Sequence, residues 1–337
     1  MDKLSRMRRE AESAYPSPGE VDAWAEGLLI GSEKVAVEGA VLDDMPIRVP
    51  FGNSPNTLVN RYVKFTASDG RRPFYGYWQP ALNTPAPLLI NLPGYGGSIT
   101  MHPQIADLGY HILHVSPLGY VTPEKTRDEL ALPDGNWPVL PNTAAGIPGG
   151  YGDWLSDCLL AIRWAQARPE VLPRRLSLFG TSQGGGGSLL LASILGPERV
   201  RCVCADLPFL TDFPGSGLEG DAYSLLQPIY DAVPAADFWM RLGYVDTVSH
   251  AHRLTMPVLL SAGGEDATCP PRTVERLFQS LSGTRQYTST TFTGRSFFTR
   301  NCVSTPIPGP ACTSFPLGCG YTHKVSYQKG GQYETRQ

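Results

Sequence analysis

Gly180-Thr181-Ser182-Gln183-Gly184-Gly185-Gly186 is the segment of this chain with the clearest chemical content. Its G-x-S-x-G spacing puts a serine on a strained turn from strand to helix, and the flanking glycines let the backbone fold tightly around it. Such a turn pushes the hydroxyl outward. It also aims the free N–H groups of the following helix at the space where a tetrahedral oxyanion would form. As a bare pattern it also occurs in flexible Gly/Ser-rich loops. Here an apolar strand, Leu176 to Phe179, precedes it and the helix-like Ser188-Leu189-Leu190-Leu191-Ala192-Ser193-Ile194-Leu195 follows, which is the setting the motif requires. Ser182 is therefore the expected nucleophile of acyl-transfer chemistry.

A nucleophilic serine needs a second oxyanion donor, a base, and an acid to hold the base's tautomer. The donor is expected from a glycine-rich loop after an earlier strand, and Leu89-Ile90-Asn91-Leu92-Pro93-Gly94-Tyr95-Gly96-Gly97 is such a loop, with the Tyr95 N–H as candidate. A plain Gly-rich turn is the bland alternative there. Pro257-Val258-Leu259-Leu260-Ser261-Ala262-Gly263-Gly264-Glu265-Asp266 ends a buried strand with an acid on a glycine-led loop, so Asp266 fits the third role. Asp266 could instead cap a helix beginning near Pro271, and Glu265 or Asp206 could take its place, Asp206 being the better placed because it follows the preceding strand.

Positioning these residues calls for a mostly parallel sheet with helices on both faces, and the order of elements predicts one. Leu58 to Phe65 and Phe74 to Gln79 flank Ser68-Asp69-Gly70 and read as an antiparallel hairpin at the start of the sheet. Pro87 to Leu92, Tyr110 to Val115, Leu176 to Phe179, Val200 to Cys204 and Pro257 to Ser261 read as short buried strands. Asp153 to Arg168 carries Trp154, Cys158, Ile162 and Ala165 at helical spacing, and Val274, Leu277, Phe278 and Leu281 mark another buried helical face. The expected organisation is a single α/β domain over 1–284, with an N-terminal arm over about 1–50, and an atypical segment over 285–337.

Composition narrows the alternatives. The chain has 337 residues, 42% of them apolar, enough for one large core, and a net charge of -3, which provides no basic field for nucleic acid. Neither the charged start, Met1 to Glu10, nor any later run resembles a signal peptide or a membrane span, so a cytoplasmic protein with no membrane partner is expected. Seven cysteines without repeated spacing argue against both a disulfide framework and a zinc knuckle. Cys202 and Cys204 share one strand face as small thiols, whereas His111 and His114, three apart in a strand, point to opposite faces and make a poor metal pair. His250 and His252 could share a face, but without Cys or carboxylate companions no metal is expected, and no cofactor is called for.

Three motifs in order resemble one family. Gly180-Thr181-Ser182-Gln183-Gly184-Gly185-Gly186, Ala205-Asp206-Leu207-Pro208-Phe209-Leu210 and Gly264-Glu265-Asp266-Ala267-Thr268-Cys269-Pro270-Pro271 look like the acetyl xylan esterase and cephalosporin C deacetylase family, carbohydrate esterase family seven, of the α/β-hydrolase superfamily. Gly94-Tyr95-Gly96-Gly97 resembles its oxyanion loop, and the likeness runs from about Tyr15 to about Leu281. The resemblance implies an α/β-hydrolase fold and an acetyl esterase acting on small acetylated sugars and related esters. It assigns Ser182 as nucleophile, Asp266 as orienting acid, and the N–H groups of Tyr95 and Gln183 as oxyanion donors. It also implies a ring-shaped homo-oligomer whose inward-facing sites admit only small substrates.

The chain departs from that pattern at two places. Pro117-Leu118-Gly119-Tyr120 stands where the family has an Arg-Gly-Gln supporting the site. Thr291-Phe292-Thr293-Gly294-Arg295 stands where the family's catalytic histidine is expected, and a guanidinium stays protonated, so Arg295 cannot relieve Ser182 of its proton. The only histidine downstream is His323, in a stretch from Gly283 to Gln337 that is rich in Thr, Ser, Pro and Gly and holds one acid, Glu334. A shifted reading frame near the end of the coding sequence would give this texture, and so would a mobile natural tail. Three readings follow: a serine esterase served by His323 or by a histidine such as His102, a fold that binds acylated ligands without efficient turnover, and a scaffold used for interaction alone.

Overall fold

In the computed structural model, which describes residues 2–50, 57–95, 102–117, 132, 136–290, 324–329 and 332–336, the described strands form one eleven-stranded sheet. The strands in chain order are β1 (Val37–Pro50), β2 (Thr57–Ala67), β3 (Phe74–Gln79), β4 (Ala86–Leu92), β5 (His111–Val115), β6 (Val171–Thr181), β7 (Val200–Asp206), β8 (Val258–Gly263), β9 (Arg285–Thr290), β10 (Lys324–Lys329) and β11 (Gln332–Arg336). Their order across the sheet is β1-β2-β3-β5-β4-β6-β7-β8-β9-β10-β11. The stretch from β5 to β9 is parallel throughout, because each connection crosses over through helix before returning to the same sheet edge. β1, β2 and β3 precede it as an antiparallel ribbon, and the β2–β3 turn places Gly70 at φ 77°, where a residue with Cβ would be strained.

Two faces of the sheet are covered, as the parallel pattern predicts. On one, α5 (Tyr151–Gln166) and α6 (Gln183–Leu195) bury Trp154, Cys158, Ile162, Leu190 and Leu191 against Ile90, Leu113, Leu178 and Val203. On the other, α3 (Pro103–Asp107) brings Ile105 onto Leu89, Ile112 and Phe179. The remaining described helices are α1 (Lys3–Ala14), α2 (Pro18–Lys34), α4 (Val139–Ala145), α7 (Phe213–Ser216), α8 (Gln227–Ala232), α9 (Ala235–Gly243) and α10 (Pro271–Ser280). α10 buries Val274, Leu277 and Phe278, the apolar face read from their spacing.

The region over about 1–50, expected as an N-terminal arm, holds two capped helices and the first strand of the sheet. Ser17 and Glu20 form a reciprocal capping box at the start of α2, and the Tyr15 hydroxyl between the two helices donates to the buried Asp246 carboxylate at 2.9 Å. The sheet also continues past residue 284, because β9 pairs in parallel with β8 from Val258–Arg285 to Gly263–Thr290. Beyond it, β10 pairs antiparallel with β9, and β11 with β10. No described helix is long and apolar enough to cross a membrane.

Candidate active site

A strained backbone turn lies where β6 ends. Ser182 adopts φ 56° and ψ −121°, outside the regions open to most L-residues, before α6 begins at Gln183. Three hydrogen bonds hold it there: its N–H donates to the Asp206 carbonyl at 2.8 Å, and its carbonyl accepts from Gly186 N–H at 3.1 Å and Phe209 N–H at 3.0 Å. The end of β7 thus clamps the turn from the side.

The glycines around Ser182 make room for this clamp. A Cβ on Gly184 would sit 1.8 Å from the Leu92 carbonyl oxygen, one on Gly186 1.8 Å from the Phe209 carbonyl oxygen, and one on Gly180 2.4 Å from the Gly184 carbonyl. These contacts bring the first turn of α6 hard against the ends of β4 and the chain after β7. Gly94 closes the gap from the other side: a Cβ there would be 3.9 Å from Ser182 Cβ. The Gly94-Tyr95 loop therefore lies directly beside the serine. Gly96 and Gly97 fall outside the described residues.

Both expected oxyanion residues are anchored by their side chains. The Tyr95 hydroxyl accepts from Trp137 N–H at 2.8 Å and donates to the Trp137 carbonyl at 3.2 Å. Gln183 is fully buried, and its Oε1 accepts from the Tyr151 hydroxyl at 2.9 Å. The Gln183 N–H belongs to the first turn of α6, which has no acceptor within the helix.

Asp266 lies on the loop after β8 and is 6% exposed. It does not cap α10, whose N-cap is Pro270. Its Oδ1 instead accepts from Thr268 N–H at 2.8 Å and Cys269 N–H at 2.9 Å, while Oδ2 has no hydrogen-bond partner among the described residues. One oxygen thus shapes the loop. Cys269 continues the line toward Ser182, its Sγ lying 3.9 Å from Ser182 Oγ. Burial, and then the nearby Asp266 charge, push this thiol up to about 12, so it is protonated and non-nucleophilic at neutral pH. Cys269 stands in the sequence only within the Gly264 to Pro271 motif and Tyr151 lies just before the helix expected from Asp153; nothing in either residue type marks its contact with the site.

The alternatives to Asp266 are occupied or undistinguished. Asp206 is fully buried and accepts from the Ser261 hydroxyl and, at 3.2 Å, from the Thr181 hydroxyl, which suits it to tying β6, β7 and β8 together. Glu265 has no side-chain hydrogen bond or ion pair among the described residues.

No histidine among the described residues lies within hydrogen-bonding distance of Ser182 Oγ or Asp266. His102 packs edge-on against Phe179 and stacks on His114, and burial lowers it to about 4. His114 meets Asn91 Oδ1 at 2.8 Å, while His111, on the opposite strand face, meets the Glu170 carbonyl and Ala81 N–H. His250 is held inside by Ser193 and the Tyr244 carbonyl, whereas His252 pairs with Asp22 at 2.9 Å, so these two do not converge either. Among the described residues no group of three or more His, Cys, Asp or Glu side chains could hold a metal ion. Arg295 and His323 lie outside the described residues, as do Leu118, Gly119 and Tyr120.

The chain is similar to proteins described as acetyl xylan esterases and to an acetyl esterase. Residues 151–296 match the family model described as acetyl xylan esterase (AXE1). A stretch of 121 residues is 31% identical to the acetyl esterase Axe7A of Xylanibacter ruminicola, spanning 34% of this chain and 26% of that relative's length. Among solved structures, acetyl xylan esterase 1 from a Thermoanaerobacterium species superposes with a TM-score of 0.67 at 20% identity, covering 86% of this chain and 93% of that one. An acetyl xylan esterase from a Paenibacillus species gives 0.66 at 20% identity, covering 87% and 95%. These two structures show the α/β-hydrolase fold of this chain.

Proposed function

We propose that this chain is a serine esterase of the acetyl xylan esterase family that removes acetyl or other short acyl groups from small carbohydrate esters. The observation that carries the proposal is the strained Ser182 turn, flanked on one side by the Gly94-Tyr95 loop and on the other by the Asp266-Cys269 loop. Ser182 Oγ attacks the acyl carbon, and the electron pair displaced onto the carbonyl oxygen is received by the N–H groups of Tyr95 and Gln183. The serine proton passes to a base oriented by Asp266 Oδ2 and from there to the departing sugar oxygen. Water then repeats the sequence on the acyl-serine and releases the carboxylic acid.

The identity of that base is the decisive variable, because position 295 is an arginine. The family match ends at residue 296, within the stretch whose composition changes. Deacetylation of cephalosporin C and a ring-shaped homo-oligomer belong to the same proposal and rest on the family resemblance, and a cytoplasmic location rests on the charged stretch Met1 to Glu10, which does not resemble a signal peptide. Hydrolysis of p-nitrophenyl acetate by the wild type beside Ser182→Ala tests it. The wild type is expected to be faster by ~10³-fold or more. Equal rates would remove serine esterase chemistry and leave a fold that binds acylated ligands without turning them over.

A further inference from the structure

The anchors of Tyr95 and Gln183 lie on a single short stretch of chain. Trp137, which holds the Tyr95 hydroxyl, and Tyr151, which holds Gln183 Oε1, are the two ends of the segment 137–151 that carries α4. The segment is tied across its middle: Tyr151 N–H donates to Thr143 Oγ1 at 2.8 Å, and Thr143 Oγ1 donates to the Val139 carbonyl at 2.8 Å. It is also tightly closed, since a Cβ on Gly150 would fall 2.6 Å from Thr143 Oγ1.

Tyr151 and Gln183 are both fully buried, and Gln183 Nε2 has no hydrogen-bond partner among the described residues. The Tyr151 hydroxyl is thus the described polar contact that fixes the Gln183 amide. The Gln183 N–H lies on the peptide that directly follows the strained Ser182, and a Gln183 side chain fixed at Oε1 adds a restraint to the backbone hydrogen bonds that hold that peptide. Oxyanion donors act by being fixed before charge develops, and small misplacements are costly in rate.

We propose that Tyr151 is a positioning residue for the oxyanion site: through Gln183 Oε1 it sets the Gln183 N–H, and through the 137–151 segment it keeps that donor in register with Tyr95. The proposal rests on the serine esterase reading.

The test compares wild type, Tyr151→Phe, Gln183→Met and the double variant. Turnover of p-nitrophenyl acetate is measured per Ser182 titrated with a fluorophosphonate, so that loss of folded protein does not count as loss of rate. Tyr151→Phe is expected to lower kcat about 10-fold with KM changed less than about 2-fold, and the double variant to be no slower than Gln183→Met. Additive losses, or a change confined to KM, would overturn the role. Amide exchange at Gly186 and Gly187 gives a readout independent of turnover: both single variants are expected to accelerate it while leaving Leu159 and Leu160 in α5 unchanged. Unchanged exchange at Gly186 and Gly187 rejects the brace. If wild type and Ser182→Ala hydrolyse the ester equally, the esterase reading fails, and exchange alone decides whether Tyr151 fixes the elbow.

Discussion

The Cys269 sulfur lies 3.9 Å from the Ser182 hydroxyl oxygen while the Cys269 N–H donates to Asp266 Oδ1 at 2.9 Å. One residue therefore joins the two ends of the candidate catalytic arrangement. Its thiol is raised to about 12, so at pH 8 only about one sulfur in ten thousand is ionised, and the side chain is 2% exposed. Iodoacetamide at pH 8 is expected to leave both Cys269 and the esterase rate unmodified while it alkylates the less buried Cys202 and Cys204. Peptide mapping beside the residual rate checks this; alkylation at Cys269 would show that the loop opens.

Asp266→Asn separates the two jobs of this carboxyl. The amide oxygen can still accept from Thr268 N–H and Cys269 N–H, so the loop is expected to hold and the melting temperature to move little. The position of Oδ2 becomes an NH2 that cannot hold a base by accepting its proton. A fall in kcat of ~10³ to 10⁴-fold is expected. A large loss of melting temperature instead would make Asp266 a loop-shaping residue first.

Gly184→Ala weighs helix propensity against space. Alanine in a helix gains about 1 kcal/mol over glycine, whereas its methyl would meet the Leu92 carbonyl oxygen at 1.8 Å, an overlap that backbone movement alone can relieve. The overlap wins, and a net destabilisation of about 2 kcal/mol or more is expected in urea unfolding. Restoring stability with an alanine there would mean that α6 stands farther from β4.

His250 gives a pH dependence. Burial lowers it from 6.5 to about 4, so the unfolded chain binds a proton in that window that the folded chain does not. Its contribution is fully present above pH 6.5 and is lost as the pH falls toward 4. His250→Asn removes the titration, so the stability gap between wild type and variant is expected to narrow by about 2 to 3 kcal/mol between pH 7 and pH 4.5, measured by urea unfolding at each pH. A constant gap would show that His250 is protonated inside the fold.

The amino-acid sequence by itself determined the local pieces of this protein. The glycines around Ser182, the apolar runs that become β4 to β8, and the acid at the end of the β8 strand are all short-range features, because strain, periodicity and turn chemistry are written in neighbouring residues. The boundaries of β6 and β7 moved, to Thr181 and Asp206, because pairing with the neighbouring strand extends a strand beyond its apolar run. Charged Glu38, Asp43, Asp44 and Arg48 interrupt the apolar residues of β1, and its pairing with β2 is what places it at the edge of the sheet.

Only the tertiary structure decided which distant groups meet. It set Cys269 against Ser182, tied Tyr95 to Trp137 and Gln183 to Tyr151, used Asp206 to join three strands, and packed His102 on Phe179. Such contacts depend on how elements pack across the sheet, and no residue carries in its own type or spacing the identity of a partner many positions away.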